Sequence, residues 1–430
     1  MNDELSEVSS AICNDSSSES SSISSNCFYN IFDNLSEDEY NDILDNVEYL
    51  FDIYINDYGV KMKEAKFYDD CVINITNELY NNWCEANLSN ISKYDNLYSI
   101  IESICYGLFY KKNIPSYVSL NCYDNYNDIS DVDNKIEYLK NIPQPEQRTK
   151  EWYTFRQNIL SASTIWKIFK SETTLKNLIA EKVKNNIKNI SAPSMEWGNK
   201  YEPVSIMIYE DKFNTKIGEF GCIKHNEYDF IGASPDGINI DKTNKLFGRM
   251  LEIKNIVNRD ITGIPKEDYW IQTQVQMETC DLDYCDFLET RINEYSEFEF
   301  YNDTIHEYKG VILHFSKIVN ENNMYNYSEV NKAHWEYYPI NKYIDNEDIN
   351  TWITNIKEKN KEEYTLYTTI YWYLDELSCV LIKRNKLWFK HALPHIKNCY
   401  NQIQKEKNKS KLIIDIDTFN NHLIRNMPSP

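Results

Sequence analysis

Apolar residues recur at three- and four-residue steps early in the chain, at Tyr40, Ile43, Leu44, Val47 and Leu50–Phe51. That spacing places them on one face of a helix. Leu97 to Tyr110 repeats the pattern, so residues 28–142 read as a helical N-terminal domain. Pro143 and Pro145 follow, in a stretch that reads as a linker. Beyond it, Glu151–Lys170 and Thr174–Ile190 predict helices. Seven of the ten glycines then fall between Gly198 and Gly263, which marks a turn-rich β segment. Its predicted strands are Thr215–Lys224, Tyr228–Ala233, Ile238–Ile240 and Arg249–Ile256. Pro265–Thr279 predicts a helix with Pro265 in its first turn, and Tyr284–Ile292 a further strand. Residues 143–320 therefore predict an α/β (α+β) domain, a mixed sheet flanked by helices. Residues 321–430 read as a mostly helical extension carrying Trp372, Trp388 and Phe389. His391 and His395 stand four apart, but Pro394 between them is expected to interrupt regular helix, which argues against a metal pair.

Composition changes this picture at the N-terminus. Residues 1–27 are a serine and acid tract with too little apolar content to fold alone, so they predict a disordered tail. No run of apolar residues reaches the ~18 of a spanning helix. Met1-Asn2-Asp3-Glu4 is acidic where a signal peptide would be basic, so a secreted product is not expected. The eleven cysteines hold no Cys-x-x-Cys pair; Cys280 and Cys285, the closest, are five apart. Reduced thiols in a cytosol-like compartment are expected.

The net charge of −22 argues against nucleic acid until its distribution is considered. Residues 1–60 hold 14 acids and no Lys or Arg, and so account for −14 of it. Residues 151–270 hold 17 basic and 16 acidic side chains, a net of +1, and residues 351–430 come to +5. A neutral middle and a basic end leave phosphate binding open.

The candidate chemistry sits in that middle. On a strand, Glu252 and Lys254 project to one face while Ile253 packs inward. Ser234-Pro235-Asp236-Gly237 closes a turn sixteen residues upstream, from which an antiparallel strand could bring Asp236 beside Glu252. Hard oxygen ligands of this kind suit Mg²⁺. A lysine beside them could stabilise charge on an attacked phosphorus. Taken singly, each motif has an ordinary explanation: Glu-x-Lys as a surface ion pair, Ser-Pro-Asp-Gly as a β-turn, Glu202 as an acid near a helix start. The glutamines could be solvated helix residues, and Arg156 and Ser163 a surface ion and a cap.

The ordered set is more specific. Trp152-Tyr153-Thr154-Phe155-Arg156 through Ser161-Ala162-Ser163 comes first, then Trp197-Gly198-Asn199-Lys200-Tyr201-Glu202-Pro203. Gly232-Ala233-Ser234-Pro235-Asp236-Gly237, Leu251-Glu252-Ile253-Lys254 and Gln272-Thr273-Gln274-Val275-Gln276-Met277 follow. Over about residues 148–295 this set resembles the YqaJ-type viral recombinases, the lambda exonuclease branch of the PD-(D/E)XK nucleases, as encoded by large DNA viruses.

The resemblance implies a Mg²⁺-dependent DNA exonuclease, with Mn²⁺ able to substitute, acting on linear duplex ends. It implies 5′ to 3′ travel that leaves 3′ overhangs for recombination, repair or genome processing. Glu202 would be the helix-borne acid. Asp236 and Glu252 would be metal ligands with the Ile253 carbonyl. Lys254 would orient or activate the attacking water, and Gln274, with Gln276 as second choice, would position it. Arg156, Ser163 and Ser234 would hold a 5′ phosphate. A single-strand annealing protein is the implied partner, and host cytoplasm, viral factory or virion the implied location. The family's toroidal trimer is a further implication, although the large N-terminal and C-terminal additions could block that interface. Two other readings remain: a structure-selective or nicking endonuclease on the same fold, and a non-catalytic DNA-binding scaffold.

Overall fold

The computed structural model describes residues 37–85, 94–119, 129–145, 149–184, 193–318, 334–340 and 346–425. The serine–acid tract of residues 1–27 lies outside them, as do residues 185–192, where the second predicted helix was expected to end.

The chain divides into two compact units. One comprises residues 1–117 with Asn385–His395, the other residues 118–384 with Ile396–Pro430. In the first, α1 (Glu37–Tyr58), α2 (Phe67–Glu85) and α3 (Tyr94–Lys111) pack together. Their predicted stripe is buried: Val47, Phe51, Leu97, Ile101 and Leu108 face inward. The Trp388 indole joins this unit, donating to the Val60 carbonyl at 3.2 Å.

The second unit opens with α4 (Ile129–Asn141), α5 (Lys150–Asn158), the short strand β1 (Leu160–Ser161), α6 (Ala162–Ile165) and α7 (Glu172–Val183). Predicted helix 151–170 is thus broken at Ile159, where β1 pairs in parallel with β4 (Ile231–Ala233). Gly232 allows that approach: a Cβ there would meet Ile159 Cδ1 at 2.4 Å and the Ile223 carbonyl oxygen at 2.9 Å. β3 (Ile223–Lys224) completes a three-stranded sheet of order β1-β4-β3.

The larger sheet is seven-stranded. Helix α8 (Pro193–Phe213) leads into β2 (Ile217–Gly218), and β5 (Gly237–Asn239) and β6 (Met250–Asn255) pair antiparallel. Helix α9 (Glu267–Cys280) crosses over to β7 (Tyr284–Tyr295), which lies parallel to β6. After α10 (Glu297–Asn302) come β8 (Lys309–Lys317), β9 (His334–Tyr337) and α11 (Asn346–Asn360). A 20-residue strand, β10 (Tyr364–Lys383), precedes α12 (Lys386–Arg425). The order is β2-β5-β6-β7-β10-β8-β9, with only β6 and β7 parallel. This is the expected mixed α/β fold, a curled sheet with helices against it.

Beyond residue 320, α11 and α12 are helical as expected, but β10 is a strand. That strand pairs with β7 from Tyr371 to Lys383 and with β8 from Tyr364 to Tyr373, so it lies inside the sheet. Trp372 is buried there against Tyr201, Val204 and Ile312, not on a helix. Pro394 also differs from expectation, because α12 continues through it.

On β6 the side chains alternate as predicted. Leu251 and Ile253 pack with Tyr209 of α8 and Leu288 of β7, which leaves Glu252 and Lys254 on the other face. Gly237, directly after Asp236, lets β2 close in: a Cβ at that position would meet Ile217 Cγ2 at 2.1 Å.

Candidate active site

One cleft of about 440 Å³ gathers the sequence-predicted residues. That size falls in the ~300–1,000 Å³ range of ligand pockets. Glu202, Ser234, Asp236, Glu252, Ile253 and Lys254 line it, together with Arg156, Ser163 and Gln276. Gln274 does not. It is 1% exposed, and its Nε2 donates to the Lys383 carbonyl at 3.0 Å, tying α9 to the end of β10. The helical period explains the correction. Residues 272 and 276 are one turn apart on the face toward the cleft, and residue 274 points away from both.

Glu252 is the centre of one end. Its carboxylate, 1% exposed, accepts from Gln272 Nε2 at 2.7 Å, from Gln276 Nε2 at 2.6 Å and from the Lys254 ammonium. Asp236 accepts from the Ile253 amide at 2.7 Å, so the turn before β5 is pinned to β6. Burial, then the Glu252 and Glu202 carboxylates, push the Asp236 carboxyl well above the ordinary range. Burial alone would lower the Lys254 pKa, but Glu252 and Asp236 hold it above the usual lysine value. Lys254 is therefore an ammonium, and the centroid of the Tyr269 ring lies 5.0 Å from its Nζ.

Arg156 occupies the other end. Its Nη2 donates to Ser163 Oγ at 2.8 Å and to Ser161 Oγ at 3.4 Å. Its guanidinium lies 4.2 Å above the Trp152 ring, and the Trp152 indole donates to Ser234 Oγ at 3.4 Å. Burial lowers the Arg156 pKa. No carboxylate among the described residues pairs with it.

The residues fit a hard divalent cation through the chemistry of their donors. Three carboxylates (Glu202, Asp236, Glu252) and two cations (Arg156, Lys254) line the cleft, with Lys254 paired to Glu252. Gln276 Oε1 is a buried acceptor with no donor among the described residues, beside Glu252. Among those residues no three His, Cys, Asp or Glu side chains converge as a ready metal cage. Lys254 and the two glutamines instead occupy the Glu252 oxygens. A cation here would thus draw on two carboxylates and main-chain oxygen.

Sequence reasoning missed Gln272, Ser161, Trp152 and Tyr269 as lining residues. Trp152 and Arg156, four apart on a helix, carried a signal for contact; Tyr269 carried none.

Comparison with known proteins agrees with the motif resemblance. Residues 151–283 match the family model of the YqaJ-like viral recombinase domain. An uncharacterized protein of Acanthamoeba polyphaga mimivirus is 30% identical over 302 residues, 63% of this chain and 54% of that protein. The chain thus spans about half the length of that curated relative. Among solved structures, the alkaline exonuclease LHK-Exo of Laribacter hongkongensis is 17% identical with a TM-score of 0.37, covering 62% of this chain and 98% of the other. A phage-related exonuclease from Haemophilus somnus is 16% identical with a TM-score of 0.31, covering 60% and 96%. No helix among the described residues is long and apolar enough to cross a membrane.

Proposed function

We propose that the cleft hydrolyses phosphodiester bonds of DNA, and that the chain is a Mg²⁺-dependent exonuclease entering at duplex ends and running 5′ to 3′. The supporting observation is the polarity of one cleft, with Asp236, Glu252 and Lys254 at one end and Arg156 with two serines at the other. Asp236 and Glu252, with the Ile253 carbonyl and Glu202 nearby, would hold the metal. When bound, it supplies Lewis-acid activation of phosphate and water. Glu252 is fixed for that task by Gln272 and Gln276. Lys254, held as an ammonium, donates to a non-bridging phosphate oxygen and stabilises the charge gathering at phosphorus. It cannot serve as the base while protonated.

Arg156 then binds the 5′-terminal phosphate, which carries about one more negative charge than an internal diester. Ser161 and Ser163 complete the oxygen shell, and Ser234 sits between the two ends through its bond from Trp152. The test is a digest of end-labelled linear duplex beside a covalently closed circle. Loss of the linear form alone supports the exonuclease. Nicking of the circle turns the reading to an endonuclease, and survival of both to a binding scaffold.

A further inference from the structure

Arg156 stands at the C-terminal end of α5, where helix carbonyls lack partners and the dipole is negative. Two lysines from distant parts of the chain reach that end. Lys182 Nζ, on α7, donates to the Arg156 carbonyl at 2.6 Å, and Lys407 Nζ, on α12, donates to the Gln157 carbonyl at 3.5 Å. The capping is reciprocal, because Gln157 Nε2 donates to the Glu181 and Lys182 carbonyls of α7 at 3.1 and 3.2 Å. Lys182 is only 8% exposed. No ion pair joins Arg156, Lys182 or Lys407 to a carboxylate among the described residues. Glu181, the nearby acid, is engaged by Lys167 at 2.9 Å.

We propose that Lys182 is a positioning residue for terminal-phosphate selection, its ammonium fixing the Arg156 backbone and adding positive charge behind the guanidinium. The inference rests on the reading of the Arg156 end as a phosphate site. It adds that the counter-charge not found among the described residues arrives with the substrate. Burial and the neighbouring charges of Arg156, Lys407 and Lys167 push the Lys182 ammonium down to about 8, with Glu181 opposing them. The thiols of Cys222 and Cys399 also face this lysine, and burial keeps both above the usual thiol range. Lys182 accordingly loses its charge as pH rises through about 8. The terminal phosphate is by then fully dianionic, its second pKa being about 6.

The experiment compares initial rates on one linear duplex carrying either a 5′-phosphate or a 5′-hydroxyl, expressed as a ratio so that pH effects on hydrolysis itself cancel. It covers wild type, Lys182→Arg and Lys182→Met. The wild-type ratio should fall roughly three- to tenfold as Lys182 deprotonates, the range of a cation at a partly buried helix C-terminus. Lys182→Arg should keep the ratio high and flat, since guanidinium stays charged. Lys182→Met should hold it low and flat. A pH-independent wild-type ratio above one, or a Met variant equal to wild type at pH below about 8, would show Lys182 to be a structural cap only and leave the phosphate site standing. A wild-type ratio of one throughout, or no cutting of either duplex, overturns the phosphate site as well. If the Met variant does not fold, the pH profiles of wild type and Lys182→Arg decide.

Discussion

The two ends of the cleft are built on opposite electrostatic plans. At one, Asp236, Glu252 and Glu202 repel each other, and a single lysine offsets them. At the other, Arg156 has Lys182 bonded to its own carbonyl, with no carboxylate among the described residues paired to either, and both are held below their usual pKa values, chiefly by burial. Neither end is neutral by its own side chains. On the proposed reading, a cation would complete the first and a phosphate anion the second. Like charges that a fold tolerates without a partner mark where the partner comes from.

The largest effect should come from the carboxylate end. Glu252→Gln or Lys254→Ala should lower turnover by roughly two orders of magnitude or more, the scale of losing a major electrostatic contribution. Folding should persist, to be checked by circular dichroism. Activity of Lys254→Ala within a few-fold of wild type would remove the lysine from the mechanism.

At the cation end, Arg156→Ala should leave hydrolysis of a 5′-hydroxyl duplex nearly unchanged while the preference for a 5′-phosphate falls by about tenfold to a hundredfold. A charge-assisted hydrogen bond is worth roughly 1.5–3 kcal/mol, which sets that range. A uniform loss on both substrates would mean that Arg156 contacts backbone phosphate of any kind, and the contrast between the two ends would lose its meaning.

How much of this was legible depends on which period the residues obeyed. The alternation of Leu251, Glu252, Ile253 and Lys254 sits on a strand that turns its apolar pair to the core and its charged pair to the cleft, so sequence and structure agree there. β10 has sheet on both sides and no clean alternation, and its aromatic density resembles that of the helix after it. Its Thr365, Thr368, Thr369, Ile370, Val380 and Ile382 did carry a strand signal in their β-branched side chains. The glutamines failed differently. Motif position points to Gln274, whereas the helical period favours Gln272 and Gln276. The Lys182 bond to Arg156 spans 26 residues and depends on two helix ends meeting, which no local pattern encodes.

The glutamines sharpen the carboxylate end. Gln276→Ala leaves a Glu252 oxygen without its donor and should reduce turnover about tenfold, a loss near the net value of a hydrogen bond to a charged group. Gln274→Ala should leave turnover unchanged and lower stability by about 1 kcal/mol, since it breaks only the buried bond to the Lys383 carbonyl. Activity assays paired with urea melts separate the two. The reverse pattern would return Gln274 to the site.

The smallest effect tests the repulsion itself, without turnover. Burial and the two neighbouring acids raise the Asp236 carboxyl above its unfolded value, so the ionised form is disfavoured in the folded chain. The sign follows from linkage: stability is greatest when Asp236 is protonated and declines as pH rises from the unfolded toward the folded pKa. Asp236→Asn keeps an acceptor for the Ile253 amide but removes the charge. With divalent ions chelated near pH 7, that variant should melt higher than wild type by about 2–4 °C per kcal/mol relieved. The gain should shrink as acid protonates the wild-type carboxyl. Added Mg²⁺ should reverse the order, because only wild type retains both carboxylates to bind it. A lower melting temperature for Asp236→Asn in chelator would mean that Lys254 attracts Asp236 more strongly than the two acids repel it, and the carboxylate end would then be complete without a metal.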